Sequence, residues 1–387
     1  MYESSYSKND YLEHYTKHNI SPVRQNIFDI KSHILRRASL YRTLGLLPSS
    51  FTGKKVLEVG PGSGFNSFVN VQWNPSKYVL VEPNPTGVLH IKSLFNEQYN
   101  SKIEIVNKRI EDFFPDEQFD IVLCEGMIPG LKNKEQILTK LDSLLKDEGV
   151  LVITCADEIS MFFEIIRIFF AHKLTKDLNG FDEKIQVAIN AFGSHLDTLS
   201  GFNRLKEDWC ADSLFGFAHF NYDFSLKKCA MFLGDKYFIY HTSPNIFTDY
   251  RWYKELPLTP KEFNQHLIDQ FDMRKHNLIH YQVITPDREK ERNEELLNLC
   301  KQAMLEVYNS VKYDDSDAEK KLIDIIGMMQ KNLVDTDLKI INALKEIQEI
   351  IENKDYTVKA INSKYMCLIS AFGRGQQYIS LCKSKNI

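Results

Sequence analysis

Five short apolar runs rich in β-branched residues recur along the first 155 residues: Val56–Val59, Tyr78–Val81, Ile103–Val106, Phe119–Cys124 and Gly149–Thr154. Helix-like stretches separate them, among them 85–99 and 134–145. This alternation constrains the fold more than any other feature. Buried strands linked by helical crossovers imply an α/β architecture with a parallel, doubly wound sheet and helices on both faces. A later run, Tyr237–Thr242, reads as a strand that closes the sheet.

The rest of the chain organises around that core. Its 387 residues suggest two or three domains. Residues 1–48 read as a polar N-terminal arm followed by a helix. Residues 49–254 hold the sheet, with an insertion over about 174–228 where the alternation lapses. Residues 255–387 read as a mainly helical C-terminal domain, heavily charged over 287–355 and broken at Asp314-Asp315-Ser316-Asp317. Composition excludes several classes. With 48 Lys+Arg against 52 Asp+Glu the net charge is −4, so a dedicated nucleic-acid binder is not expected. The seven cysteines form no CxxC pair, so no metal site is expected and the thiols suit a reducing compartment. The start of the chain lacks the pattern of a signal peptide, and the apolar run 161–171 is too short and too charged to span a bilayer. A cytoplasmic protein without a membrane span is the expectation.

The chemistry concentrates at Glu58-Val59-Gly60-Pro61-Gly62-Ser63-Gly64, between a strand and a helix. Glycines there let the backbone turn sharply and approach a ligand, and the following helix offers amide donors. A dinucleotide fingerprint would place its third glycine one position later, where Phe65 stands. Glu58 beside the turn would repel a pyrophosphate and suits a ligand bearing an amino group. Glu82, at the end of the second run, can accept both hydroxyls of a ribose. One carboxylate at the turn and one at the ribose position point to an adenosyl amino acid rather than a nucleotide.

These segments, together with Val81-Glu82-Pro83, Phe119-Asp120-Ile121-Val122-Leu123 and Gly149-Val150-Leu151-Val152, resemble the class I S-adenosylmethionine-dependent methyltransferases over about residues 50–160. The resemblance implies a Rossmann-like, seven-stranded sheet, S-adenosylmethionine as cofactor and S-adenosylhomocysteine as product. It implies that Glu58, Gly60, Pro61, Gly62 and Gly64 line the methionine part and that Glu82 and Pro83 hold the ribose. Ile110, Glu111 and Asp112 would flank the adenine. Glu125 and Gly126 are further candidate cofactor contacts, since ligands of an open parallel sheet bind beyond the carboxyl ends of its strands. The position that often carries an acid for the adenine amino group is Arg109 here, with Glu111 two residues on.

The acceptor is less legible. The fourth strand ends in Cys124-Glu125-Gly126-Met127-Ile128-Pro129-Gly130, without the Asn/Asp-Pro-Pro-aromatic motif of enzymes that methylate base amino groups. An oxygen acceptor needs its proton removed, and Glu125, Asp157 and His219 are the candidate catalytic groups. Tyr250, Trp252, Arg374 and Gln376 are candidate substrate contacts, because they lie in stretches that combine aromatic, cationic and amide side chains. The turn after the fourth strand, the stretch 243–254 and the Gly-Arg-Gly-Gln stretch also resemble methyltransferase-domain proteins of bacterial surface-polysaccharide synthesis. The expected activity is therefore O-methylation of a sugar, glycan or nucleotide-linked sugar. The alternatives are a cofactor-binding scaffold that docks a partner, or a protein or RNA methyltransferase. The C-terminal helices also offer a surface for homo-oligomer formation.

Overall fold

The computed structural model describes residues 29–95 and 101–385. The polar arm expected over 1–22 lies outside them. The strands are β1 (Lys55–Val59), β2 (Lys77–Val81), β3 (Ile103–Val106), β4 (Phe119–Cys124), β5 (Leu145–Cys155), β6 (Tyr237–Ser243) and β7 (Gln377–Lys383). The longer helices are α1 (Ile30–Thr43), α2 (Phe65–Val71), α3 (Pro85–Leu94), α4 (Lys134–Leu144), α5 (Phe162–Thr175), α6 (Phe181–Asp197), α7 (Leu226–Leu233), α8 (Pro260–Arg274), α9 (Lys290–Tyr313), α10 (Asp317–Asn332) and α11 (Leu338–Glu352).

The strands form one seven-stranded sheet in the order β3-β2-β1-β4-β5-β7-β6. Neighbours from β3 through β5 pair in parallel, and β7 runs antiparallel to both β5 and β6. The doubly wound, seven-stranded expectation is met. The order reverses between β1 and β4, so the crevice beyond their carboxyl ends is where such a sheet binds ligands. Asp120 ties the opposite ends together by accepting from Lys55 N at 2.8 Å and Lys146 Nζ at 2.8 Å.

One strand came from an unexpected place. The sequence reading put 377–383 with the C-terminal helices, whereas β7 sits inside the sheet, paired along β5 from Cys155↔Gln377 to Val150↔Cys382. β6 is left at the edge. Asn264 of α8 covers that edge, accepting from Ile239 N at 2.9 Å and donating to Tyr237 O at 2.7 Å. A side chain that bonds exposed strand groups removes a template for unwanted pairing.

The chain divides into two compact units. The first holds the described residues up to Ala156, Phe224–Phe271 and those from Gln376 onward; the second holds Asp157–Asp223 and Asp272–Gly375. In the first, one face of the sheet buries Val56, Tyr78, Leu80, Ile121, Leu123 and Val152 against Tyr41 of α1, Leu44 just past its end and Val69 of α2. Tyr41, Phe51 and Trp73 meet edge to face at 4.8–5.5 Å, each pair contributing about 0.5–1.5 kcal/mol beyond burial.

The second unit packs α5 against α6 and α9, α9 against α10 and α10 against α11. The expected break before α10 is present: Asp314 takes φ +51° and Asp315 accepts from Asp317 N at 2.9 Å. Arg167 of α5 is fully buried, donating to His195 Nδ1 at 3.2 Å and to the carbonyls of Leu368 and Ala371 at 3.2 and 2.6 Å. Burial and the nearby Arg167 push His195 down to about 3, so its imidazole is neutral and serves the fold. Among the described residues no helix is long and apolar enough to cross a membrane.

Candidate functional site

β1 delivers the chain into the glycine turn, where Gly60, Gly62 and Gly64 all take left-handed conformations, with φ of 70°, 59° and 80°. Non-glycine residues adopt such angles only at a cost. Gly60 N donates to Val81 O at 2.9 Å, which couples the turn to the end of β2. Just beyond that end stands Glu82. Its Oε2 accepts from Gly62 N at 2.9 Å and its Oε1 accepts from Asn84 N at 2.8 Å. Each carboxylate oxygen can accept a second hydrogen bond. The Glu82 carboxylate is thus fixed by the backbone while keeping capacity for two hydroxyls. The Pro83 carbonyl accepts from Asn107 Nδ2 at 3.2 Å, and Asn84 caps α3 by accepting from Thr86 N.

Glu58 lies buried at the end of β1. Its Oε2 accepts from Tyr78 Oη at 2.5 Å, and Tyr78 Oη accepts in turn from Asn70 Nδ2 at 3.2 Å. Burial and the charge of Glu125 push Glu58 up to about 7. Burial likewise pushes Glu82 up to about 7 against its two backbone hydrogen bonds.

These raised values set a pH dependence. A carboxyl whose folded value lies above its unfolded value loses stabilising protonation as pH rises between the two, so the unliganded domain weakens as pH approaches 7. A ligand that binds the ionised carboxylates gains affinity over the same range. S-adenosylmethionine affinity should therefore fall below pH 7 by about tenfold per unit for each proton displaced, and level off above pH 8. Calorimetry across pH 5.5–8.5 in two buffers checks both the slope and the proton release.

Glu125, at the end of β4, plays a different part from the general base the sequence suggested. Arg37 Nη1 donates to its Oε2 at 2.7 Å and Arg37 Nη2 to its Oε1 at 2.9 Å, while Tyr41 Oη donates to Oε1 at 2.5 Å. Burial would raise this carboxyl, but the Arg37 guanidinium and the hydrogen bonds outweigh it and hold it below the usual carboxylate range. A carboxylate so engaged is a fixed anion, poorly suited to taking a proton. Gly126 follows with φ 82°, its N–H donating to Thr154 Oγ1 at 2.7 Å. The Gln376 side-chain amide lies against it, 3.7 Å from where a Cβ on Gly126 would stand.

The adenine candidates Ile110, Glu111 and Asp112 form a single 3₁₀ turn after β3, with Ile110 buried and Glu111 accepting from Asn133 Nδ2 at 3.1 Å. Tyr250 and Trp252 are exposed on the loop after β6. The structure thus collects Glu58, the glycine turn, Glu82, Glu125, Gly126 and Gln376 within the first unit.

Asp157, His219 and Arg374 belong to the second unit. Asp157 caps the turn entering α5: its Oδ1 accepts from Ser160 N at 2.9 Å and its N–H donates to Ser160 Oγ at 3.1 Å. The bond to Ser160 N makes Asp157 a capping residue of that turn. His219 is buried beside Tyr222, with Nδ1 3.4 Å from Gly216 O, and burial lowers its basicity. Arg374 is anchored through its backbone, N–H to Leu278 O at 2.8 Å.

Sequence reasoning missed Arg37, Tyr41, Asn70 and Tyr78. It also missed Gly87, in the first turn of α3. A Cβ there would stand 2.7 Å from Gly62 O and 3.2 Å from Glu82 Cγ. A glycine inside an otherwise good helix start was the available signal.

Residues 57–153 match the family model described as "Methyltransferase domain". Protein arginine N-methyltransferase 6 of Xenopus tropicalis is 29% identical over 112 residues, which is 28% of this chain and 33% of that protein. Ubiquinone biosynthesis O-methyltransferase of Rickettsia bellii (strain OSU 85-389) is 23% identical over 141 residues, 35% of this chain and 51% of that one. Among solved structures, the N-methyltransferase NodS of Bradyrhizobium japonicum WM9, bound to S-adenosyl-l-homocysteine, is 16% identical, covering 38% of this chain and 74% of that chain with a TM-score of 0.32. The chain spans from one third to about half the length of these two curated relatives. The matched segment runs from β1 through β5 and carries the glycine turn and both strand-end carboxylates; it is a methyltransferase domain. Its strand order and site place it with the class I S-adenosylmethionine-dependent enzymes, and S-adenosylmethionine is the cofactor that the turn, Glu58 and Glu82 fit.

Proposed function

We propose that this protein transfers the methyl group of S-adenosylmethionine to a hydroxyl of a small polar acceptor, a sugar or nucleotide-linked sugar. The observation that carries the methyl-transfer part is Glu82, fixed by Gly62 N and Asn84 N at the end of β2 beside the glycine turn. Methyl transfer is a direct displacement at the sulfonium carbon, so alignment supplies much of the rate. Glu58 and Glu82 hold the amino and ribose ends, leaving the methyl beyond the end of β4.

Support for a sugar acceptor comes from the loop after β6. Buried Gln270 fixes that loop's backbone, accepting from Thr248 N at 2.7 Å and donating to Thr248 O at 2.6 Å. Tyr250, Trp252 and Tyr253 remain exposed on it, Tyr250 at 92%. A rigid loop that holds aromatic faces in water suits stacking on sugar C–H faces. Trp252→Ala should raise the KM for a sugar acceptor by about tenfold and leave S-adenosylmethionine affinity unchanged, a loss typical of one aromatic contact.

A second reading, methylation of an arginine side chain, is favoured by the matches to protein arginine N-methyltransferase 6 and to the histone-arginine methyltransferase of Culex quinquefasciatus, 30% identical over 117 residues. Transfer of radiolabelled methyl from S-adenosylmethionine, assayed side by side on nucleotide-sugars, oligosaccharides and arginine peptides, decides between them. Label on peptide alone would overturn the sugar reading.

A further inference from the structure

We propose that α1 is a working part of the cofactor site, with Arg37 as a positioning residue that fixes the Glu125 carboxylate and, through Tyr41, Asn70 and Tyr78, the carboxylate of Glu58. This rests on the reading of the site as an S-adenosylmethionine site and adds to it an element that precedes the matched domain.

The connection is continuous. Arg37 forks onto both oxygens of Glu125, and Arg37 Nη2 also donates to Tyr41 Oη at 3.2 Å. Asn70 of α2 spans two phenols, its Nδ2 standing 3.5 Å from Tyr41 Oη and 3.2 Å from Tyr78 Oη. Tyr78 then donates to Glu58. The helix also reaches the far side of the glycine turn: His33 Nε2 lies 3.1 Å from the carbonyl of Phe65, the first residue of α2. A carbonyl only accepts, so the ring donates from Nε2 there. One helix thus bonds both to the end of β4 and to the segment that follows the turn.

The energetics favour a positioning role. The side chains of Arg37 and Glu125 are 6% and 8% exposed. Burying such a pair brings little net stability relative to apolar residues of the same size, because desolvation offsets the attraction. What the pair does provide is geometry: a planar fork sets both the location and the plane of a carboxylate. Without it, Glu58 and Glu125 would face each other unscreened at the place where a cationic cofactor binds. The helix has other anchors that survive a change at Arg37. The Tyr41 ring packs on Phe51 and Trp73, and Ser380 Oγ donates to Leu44 O at 2.8 Å. Loss of the fork leaves Glu125 buried without its partner and so costs stability as well as geometry, which is why unfolding is followed beside binding.

The test is calorimetric titration of the full chain with S-adenosylmethionine, with thermal unfolding measured on the same samples without ligand. Arg37→Met should weaken binding by about tenfold or more, and Arg37→Lys, which keeps a charge without the fork, should recover part of it. Tyr41→Phe keeps the ring packing but deletes the hydroxyl, and should weaken binding about threefold while lowering the unfolding midpoint by only a few degrees. It remains informative if Arg37→Met does not fold. Wild-type affinity retained in Tyr41→Phe and in a folded Arg37→Met overturns the proposal and leaves the cofactor assignment standing. Failure of the wild-type chain to bind S-adenosylmethionine overturns both.

Discussion

Glu82→Ala is expected to weaken S-adenosylmethionine binding by about a hundredfold or more, the largest loss from any single side chain of the site. Two effects add. The ribose loses two hydrogen bonds to a carboxylate, each worth about 1.5–3 kcal/mol. The turn also loses its support, because Gly62 N and Asn84 N both donate to this side chain in the unliganded protein. Glu82→Gln separates the two effects. An amide oxygen still accepts from one backbone N–H, but its NH₂ faces the other donor, so part of the scaffold survives while the charge is gone. Its affinity should fall between wild type and alanine, and the fall of affinity below pH 7 should lose the share that comes from ionising this carboxyl. Calorimetry gives the affinities, and circular dichroism checks the fold. An alanine variant that binds within threefold of wild type would remove the ribose from this carboxylate.

How much of this is legible in the sequence depends on chain distance. β1 through β5 were legible because each is a short β-branched run bounded by helix, and the turn was legible because Gly60, Gly62 and Gly64 sit within five residues of one another. β7 was not. Its run, Tyr378-Ile379-Ser380-Leu381-Cys382, is short, and its partner β5 ends more than two hundred residues earlier, so nothing local announces the pairing. The two-unit division has the same character, since the chain leaves the first unit after Ala156 and returns to it at Phe224 and again at Gln376. The site divides in the same way. Glu58 and Glu82 could be placed from the motif, but the partner that decides what Glu125 does, Arg37, is 88 residues away on a helix read only as an apolar rhythm. A strand-end acid could be a base, a cofactor contact or a turn residue on sequence alone, and its guanidinium partner bears on that choice only in the fold. Asp157 shows the converse: its partner Ser160 is only three residues away in the chain.

Gly87→Ala offers a sharper test of how the site is built, because the same change made elsewhere should act in the opposite direction. In an open helix position alanine stabilises relative to glycine by about 1 kcal/mol. Gly327 of α10 is such a position, with no atom within 4 Å of an added Cβ. Gly327→Ala should raise the unfolding midpoint by a few degrees and leave the cofactor affinity alone. At Gly87 the added Cβ would stand 2.7 Å from the Gly62 carbonyl, 3.2 Å from Glu82 Cγ and 3.4 Å from Glu82 Cδ. Backbone oxygen does not yield as a flexible side chain would, so α3 must withdraw or the turn must move. Either shift disturbs the Gly62–Glu82 hydrogen bond, the link that aims the ribose carboxylate. Overpacking of this kind costs about 1–3 kcal/mol. Placed at the cofactor site, about 2 kcal/mol corresponds to roughly thirtyfold in affinity. The expected pattern is therefore a midpoint raised only by Gly327→Ala and an affinity lost only by Gly87→Ala. If Gly87→Ala instead gains stability and binds S-adenosylmethionine as wild type does, α3 does not press on the turn, and the glycine there answers to helix propensity alone.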